Sequence, residues 1–107
     1  MLNKYSVTIA EQVYRDTQEA IFYKESLGSY ESNVSKFARE VTTFIKKLES
    51  SPKIGSNLSP RISIETNVKY SVIEDYILFY EVVGLEVYVL RLLPAKSNWI
   101  NTILKQI

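Results

Sequence analysis

The chain opens with an alternation of apolar and polar residues. Tyr5, Val7 and Ile9 are each separated by one polar residue. A period of two is typical of a strand that buries one face. The pattern therefore predicts a half-buried strand as the first element.

Two amphipathic helices are predicted next. The first covers residues 10–27 and ends at Gly28, because glycine favours helix C-termini. Its apolar face comprises Val13, Thr17, Ala20, Ile21 and Leu27, and Tyr14 and Phe22 widen it. The second covers residues 30–50 and ends before Pro52, since the residue preceding a proline disfavours the helical region. Its apolar residues recur at helical spacing: Val34, Phe37, Ala38, Val41, Phe44, Ile45 and Leu48. We expect a long helical hairpin packed on a sheet.

The second half of the chain is typical of strands. Residues 53–59 are predicted to form a polar loop, and residues 61–65 a strand. Residues 70–73 either continue that strand or form another. Residues 77–83 and 86–92 are the strongest strand candidates, because they are rich in Ile, Val, Phe and Tyr. Pro94 ends the last strand, and a short C-terminal helix is expected over residues 99–107.

Gly84 joins the two strongest strands and suits a two-residue type II′ turn. Val83 then opposes Glu86, and alternate residues share a face. One face carries Leu78, Tyr80, Val82, Val87, Val89 and Arg91. The other carries Ile77, Phe79, Glu81, Tyr88, Leu90 and Leu92, together with Val83 and Glu86. The second face holds both acids, so we assign the first face to the helices, although the second is very apolar for a surface in water.

The order of these elements predicts an α+β fold. It comprises an N-terminal strand, a long α-helical hairpin, a sheet of three or four mainly antiparallel strands and a short C-terminal helix. The 107 residues suit one domain over residues 1–107. No apolar run approaches the roughly 20 residues of a membrane span. The first ten residues lack the unbroken apolar core of a signal peptide, so we expect a cytoplasmic protein.

The residue inventory restricts the possible chemistry. The chain has no Cys and no His, which excludes disulfides, thiolate nucleophiles, Cys/His zinc sites and imidazole bases. No acidic cluster has the form of a calcium loop, so we expect neither a metal nor a cofactor. Net charge is +1, but no acid follows Glu86, and the C-terminal end is locally basic.

Several segments together resemble the RelE/ParE group of bacterial toxins. Residues 48–55 resemble the group's helix ending of leucine, spacer, proline, two residues and glycine. Residues 76–82 resemble its aromatic-rich central strand, and residues 87–93 the following strand, in which an arginine is common. Residues 94–99 fall where many ParE members have a histidine, a small residue, two bases, an acid and an aromatic. Pro94, Ser97 and Asn98 depart from that pattern.

The resemblance implies a toxin that is neutralised by a small antitoxin encoded beside it, in a toxin–antitoxin complex. RelE-like members cut messenger RNA on the ribosome, whereas ParE-like members bind DNA gyrase and are not hydrolases. An RNA cutter needs a base, an acid and cations for the phosphate. The near-neutral charge and the absence of histidine therefore favour a non-enzymatic, ParE-like gyrase inhibitor. A ribosome-dependent endoribonuclease and a non-toxic, antitoxin-bound relic remain alternatives.

Four residues are candidates for binding the target. Arg91 and Trp99 suit interface anchors, because arginine forms several directed bonds and tryptophan is enriched at hot spots. Alternatively, Arg91 forms a salt bridge to the helical hairpin, and Trp99 pins the C-terminal segment to the domain. Lys96 and Arg61 are further candidates for target or phosphate contact, against ordinary solvation.

The antitoxin is expected to cover apolar surface on the first helix and on the outer face of the sheet. The candidates are Tyr14, Phe22, Phe79, Tyr88 and Leu90. Tyr70, Tyr76, Tyr80 and Tyr88 could act as catalytic bases only with a lowered pKa. Strand tyrosines are more often packing residues with one hydrogen bond.

Overall fold

Two long helices and a mixed five-stranded sheet form the body of the protein. The computed structural model describes residues 4–107; the first three residues of the predicted domain lie outside the described residues. In chain order the elements are β1 (Ser6–Ile9), α1 (Glu11–Ser26), α2 (Glu31–Lys47), β2 (Ser56–Asn57), α3 (Ser59–Ile62), β3 (Val68–Ile73), β4 (Tyr76–Val83), β5 (Glu86–Pro94) and α4 (Trp99–Leu104). The predicted α+β class and the order of the main elements are confirmed.

The sheet has the strand order β1-β5-β4-β3-β2. β1 pairs in parallel with β5, starting with Ser6 opposite Glu86, and the other pairings are antiparallel. A parallel neighbour requires a long crossover connection, and the helical hairpin begins that connection. Among the described residues, no helix is both long and apolar enough to cross a membrane.

The helical hairpin covers one face of the sheet, as its apolar spacing predicted. The helix ends lie within three residues of the predicted ones. The buried core on this face comprises Val13, Ala20, Phe37, Val41, Leu48, Ile73, Tyr76, Leu78, Tyr80, Val87, Val89 and Leu92. Lys24 ties the hairpin to the sheet, since its Nζ donates to Asp75 Oδ1 at 2.8 Å and lies 4.6 Å from the centre of the Phe37 ring.

The opposite face of the sheet is partly covered by the short helices α3 and α4. Its buried residues are Leu58, Val68, Ile77, Phe79, Leu93, Trp99 and Ile103. The assignment of this face to solvent is therefore wrong for its central part. The short helices α3 and α4 cover these residues, which explains why a face predicted to contact water is so apolar.

The β4–β5 hairpin has the predicted turn but not the predicted register throughout. Val83 pairs with Glu86, and Gly84 has a φ of 60°, as a type II′ turn requires at that position. Between Phe79 and Tyr80 the register shifts, so that their partners are Arg91 and Val89. Leu90 is therefore an extra residue, as in a β-bulge. The bulge moves Leu92 to the helix side, opposite to its predicted face.

Residues 61–65 do not form the predicted strand. Residues Ser59–Ile62 form the helical turn α3, because Pro60 has a fixed φ and lacks an N–H, both of which suit the first turn of a helix. Ser63 ends the turn in the left-handed region, with a φ of 57°. The strand in this part of the chain is β3, which begins at Val68, and β2 lies within the predicted loop.

Gly55 lies where a side chain has no room. A Cβ at this position would lie 2.8 Å from the carbonyl oxygen of Tyr70 and also against the hydroxyl of Tyr80. The Gly55 N–H donates to the Tyr80 hydroxyl at 2.8 Å. Glycine here lets the chain after α2 pass close to the sheet.

Candidate functional site

The predicted target-binding residues divide into an exposed pair and a mostly buried pair. Arg61 and Lys96 are exposed, whereas Arg91 is half-buried and Trp99 is 8% exposed. All four lie on or next to the segments α3, β5 and α4. Two of the four predicted residues are thus accessible to a partner, and the other two are largely engaged within the protein.

Arg91 forms a salt bridge with Asp16 of α1. Its Nε donates to Asp16 Oδ2 at 2.8 Å, and its Nη2 donates to Oδ1 at 3.0 Å. This two-bond geometry is the strong form of an arginine–carboxylate pair. The hydrogen bond to Asp16 raises the pKa of Arg91, while partial burial acts in the opposite direction. Arg91 therefore makes the contact that the alternative interpretation of the sequence predicted.

Asp16 also holds the bulge of β5. Its Oδ2 accepts the backbone N–H of Leu92 at 3.0 Å, and its Oδ1 accepts Gln12 Nε2 at 3.1 Å. The residue is 5% exposed, and a buried carboxylate requires such partners. The sequence interpretation missed Asp16, although it lies three residues after Val13 and four before Ala20, within the apolar stripe of α1.

Arg61 places its guanidinium over two aromatic rings. Its guanidinium carbon is 5.4 Å from the Tyr70 ring centre and 5.5 Å from that of Trp99, and its Nη1 donates to the Tyr70 hydroxyl at 3.2 Å. Trp99 in turn packs on Phe79, with ring centres 5.5 Å apart. These contacts hold the charged group of Arg61 in one place while it stays exposed.

Lys96 lies in the turn between β5 and α4. The turn is closed by Ser97 Oγ, which donates to the Pro94 carbonyl at 2.7 Å, and by the N–H of Ala95, which donates to the Asp75 carbonyl at 2.9 Å. The Lys96 side chain is exposed on this ordered turn.

The five predicted antitoxin-binding residues do not share one exposed surface. Tyr14 and Phe22 are 56% and 71% exposed on α1, and Tyr88 and Leu90 are half-buried on β5. Phe79 is fully buried, so its predicted exposure is wrong: α4 lies over it. The sequence interpretation also did not name Tyr23 and Tyr30, which are exposed near the turn between the two helices. It placed Leu27 on the core-facing side of the first helix, which is wrong, because Leu27 lies at the helix end and is 68% exposed.

Tyr76, Tyr80 and Tyr88 have pKa shifts in the direction that opposes a role as a base. Burial raises the pKa of Tyr76 and of Tyr80, and a hydrogen bond to Glu86 raises the pKa of Tyr88. A catalytic tyrosine base requires the opposite shift. Among residues 4–107, no group of three or more Asp and Glu side chains is arranged to hold a metal ion.

Comparison with known proteins gives a similarity in fold. No protein-family model and no curated protein matches the chain. Among solved structures, it is similar to a chain from the chromosomal ParDE TA system from P. aeruginosa, with a TM-score of 0.69 and 16% identity. The match covers 88% of this chain and 99% of that chain. The two chains share a fold over nearly their whole length.

This shared fold confirms the architecture expected from the sequence resemblance. It does not extend to individual residues, because 16% identity leaves most positions different. The roles of Arg61, Arg91, Lys96 and Trp99 therefore rest on their geometry in this chain.

Proposed function

We propose that the chain is the toxin of a type II toxin–antitoxin pair in the cytoplasm, a ParE-like inhibitor of DNA gyrase that an antitoxin encoded beside it neutralises. The observation that carries the proposal is the shared fold with a chain of the ParDE TA system, over 99% of that chain. The RelE/ParE-like segments of the sequence support it independently.

Gyrase is the proposed target, in preference to ribosome-bound messenger RNA. An RNA cutter needs a group that takes a proton from the 2′-hydroxyl and another that protonates the leaving oxygen. The raised pKa values of Tyr76, Tyr80 and Tyr88 oppose a tyrosine base. The sheet face that α3 and α4 partly cover has an apolar centre, and its buried side chains offer no acid or base. Binding alone needs neither group.

We propose that Arg61 and Lys96 contact the target, that Trp99 supports Arg61, and that Arg91 stabilises the fold through its salt bridge to Asp16. The exposed pair can form directed bonds without unfolding any element. Arg91 is engaged with Asp16, and Trp99 supplies the ring on which Arg61 lies. This division gives the exposed pair and the two less exposed residues different roles.

Expression of the chain is expected to arrest growth, and the purified protein to inhibit supercoiling by gyrase. The double variant Arg61→Ala/Lys96→Ala should lose both effects, because removing interface anchors costs about 2 kcal/mol or more each, roughly a thirtyfold loss of affinity. Lys105→Ala is the matched control, since it removes a cation from the same end of the sequence and should keep activity.

Primer extension on translating ribosomes provides the other arm of this test. Cleavage of messenger RNA at defined codon positions, with gyrase activity unaffected, would mean that the chain is an RNA-cutting toxin and not a gyrase inhibitor. If the chain arrests no growth yet co-purifies with the product of the neighbouring frame, it is the non-toxic relic.

We propose that the antitoxin covers the exposed apolar side of α1, and this contact can be tested directly. Tyr14→Glu and Phe22→Glu should keep growth arrest but weaken neutralisation by the co-expressed antitoxin. Each change places a charge where an apolar contact is proposed, against residues that are 56% and 71% exposed. Ser35→Glu, an equal change of charge at an exposed position of α2, should remain neutralised. Full neutralisation of both α1 variants would remove this surface from the proposal.

A further inference from the structure

A polar cleft opens at the end of the sheet that carries the β4–β5 turn. It measures about 590 Å³, within the range of about 300–1,000 Å³ that is typical of small-ligand sites. Lys53 and Lys69 line it together with the polar residues Asn57, Thr66 and Asn67. We call this the basic cleft.

The charge of the basic cleft has one sign. Its lining, within the part of the chain that the structure describes, includes two lysines and no Asp or Glu. Neither lysine forms an ion pair in residues 4–107, where the salt bridges involve Arg15, Lys24, Lys36 and Arg91. Two ammonium groups at one concave site, without a carboxylate to neutralise them, attract an anion.

The position of Lys69 is fixed at the cleft. Its Nζ donates to Asn57 Oδ1 at 2.7 Å, across the pair of strands β2 and β3. An ammonium group has three N–H donors, so this bond leaves donors for a ligand. Ser59 Oγ stabilises the other wall by accepting the Thr66 N–H and donating to the Thr66 carbonyl, both at 3.0 Å. Hydrogen bonds therefore join the segments that form the walls of the cleft.

The rest of the lining suits a ligand that is more than a bare ion. Tyr5, Pro60 and Val82 add apolar surface beside the two lysines. Between residues 51 and 73 the bases are Lys53, Arg61 and Lys69, and Glu65 is the single acid. Cations with an adjacent aromatic ring are the combination that binds a phosphate next to a base or sugar.

We infer that the basic cleft binds a phosphate group, carried by a free nucleotide or by the backbone of a nucleic acid. This site is distinct from Arg61 and Lys96, and its existence does not depend on gyrase being the target. The proposed toxin function can be wrong while the basic cleft still binds phosphate. Equally, the cleft can fail to bind phosphate while the toxin function is correct.

Binding is measured on the purified chain, without gyrase, by following the chemical shifts of backbone amide groups by NMR during titration. The probes are inorganic pyrophosphate, ATP and a single-stranded DNA oligonucleotide. We expect saturable shifts at the cleft amides, including those of Asn57, Asn67 and Gly84. Lys53→Ala and Lys69→Ala should each weaken binding at least about fivefold, and each should lower the salt dependence for the oligonucleotide by about 0.7 in log–log slope.

The matched control is Lys105→Ala, which removes the same charge outside the cleft lining. It should leave the affinity unchanged. Binding of pyrophosphate and ATP alone identifies a free nucleotide as the source of the phosphate, and binding of the oligonucleotide alone identifies a nucleic-acid backbone. If no probe shifts the cleft amides at millimolar concentration, or if Lys105→Ala weakens binding as much as the cleft variants, the inference is overturned.

Discussion

Arg91→Ala is expected to lower the free energy of unfolding by about 3–5 kcal/mol, because it leaves the Asp16 carboxylate buried without its cation. Asp16 is 5% exposed and receives two of its hydrogen bonds from Arg91. For a chain of this size the loss corresponds to a fall of roughly 10 °C or more in melting temperature. Thermal unfolding followed by circular dichroism measures it.

Two further variants identify the cause of that loss. Arg15→Ala removes the exposed ion pair with Glu11 on the same helix and should cost at most about 1 kcal/mol. The double variant Asp16→Asn/Arg91→Ala removes the unpaired carboxylate charge at position 16 but keeps an acceptor for the Leu92 N–H. It should be more stable than Arg91→Ala alone. Equal stability of the two would mean that the carboxylate is not the source of the loss.

The same variants separate stability from target contact. At a temperature where Arg91→Ala remains folded, we expect growth arrest at a level near that of the parent. If Arg91→Ala melts like the parent and yet loses growth arrest, Arg91 contacts the target directly, and the salt bridge to Asp16 is incidental.

The helical hairpin and the β4–β5 hairpin could be predicted because each carries its signal in local sequence. Val34, Phe37 and Val41 recur at helical spacing, and Gly84 sits at the turn position that glycine favours. In both cases the residues that decide the element lie within a few positions of one another.

The bulge and the two short helices could not be predicted in this way. Residues 87–93 are nearly all apolar, so alternation cannot reveal where one residue is extra. In α3 the turn-forming effect of Pro60 outweighs the apolar residues Ile62 and Ile64, which suggested a strand. The burial of Phe79 depends on α4, which follows it by 20 residues.

The candidate site shows the same limit. From the sequence, Arg91 was a candidate for a target contact or for a salt bridge to the helical hairpin. Its salt-bridge partner, Asp16, lies 75 residues away along the chain. Local pattern cannot decide between two such roles. Arg61 and Trp99 were named separately, and only the fold brings the guanidinium onto the indole ring.

Trp99→Ala is expected to destabilise the protein by about 3–5 kcal/mol, since removing a buried large aromatic side chain leaves a cavity. Trp99 packs on Phe79 in the cluster that attaches α4 to the sheet. Ile100→Ala is the matched control on the same helix, because Ile100 is 41% exposed and should cost much less. Urea unfolding at one temperature compares the variants.

Growth arrest then distinguishes support from contact. Arg61→Ala removes exposed cation–π contacts worth about 0.5–1 kcal/mol, so the stability should change little. It should nevertheless reduce growth arrest, because Arg61 is a proposed target contact. Trp99→Phe keeps an aromatic ring in the pocket and should retain most of the activity. Trp99 is the single tryptophan, so its fluorescence reports directly whether Arg61→Ala disturbs the packing beneath. If Trp99→Ala instead keeps the stability of the parent and loses target binding, the tryptophan itself is the contact, and Arg61 does no more than cover its ring.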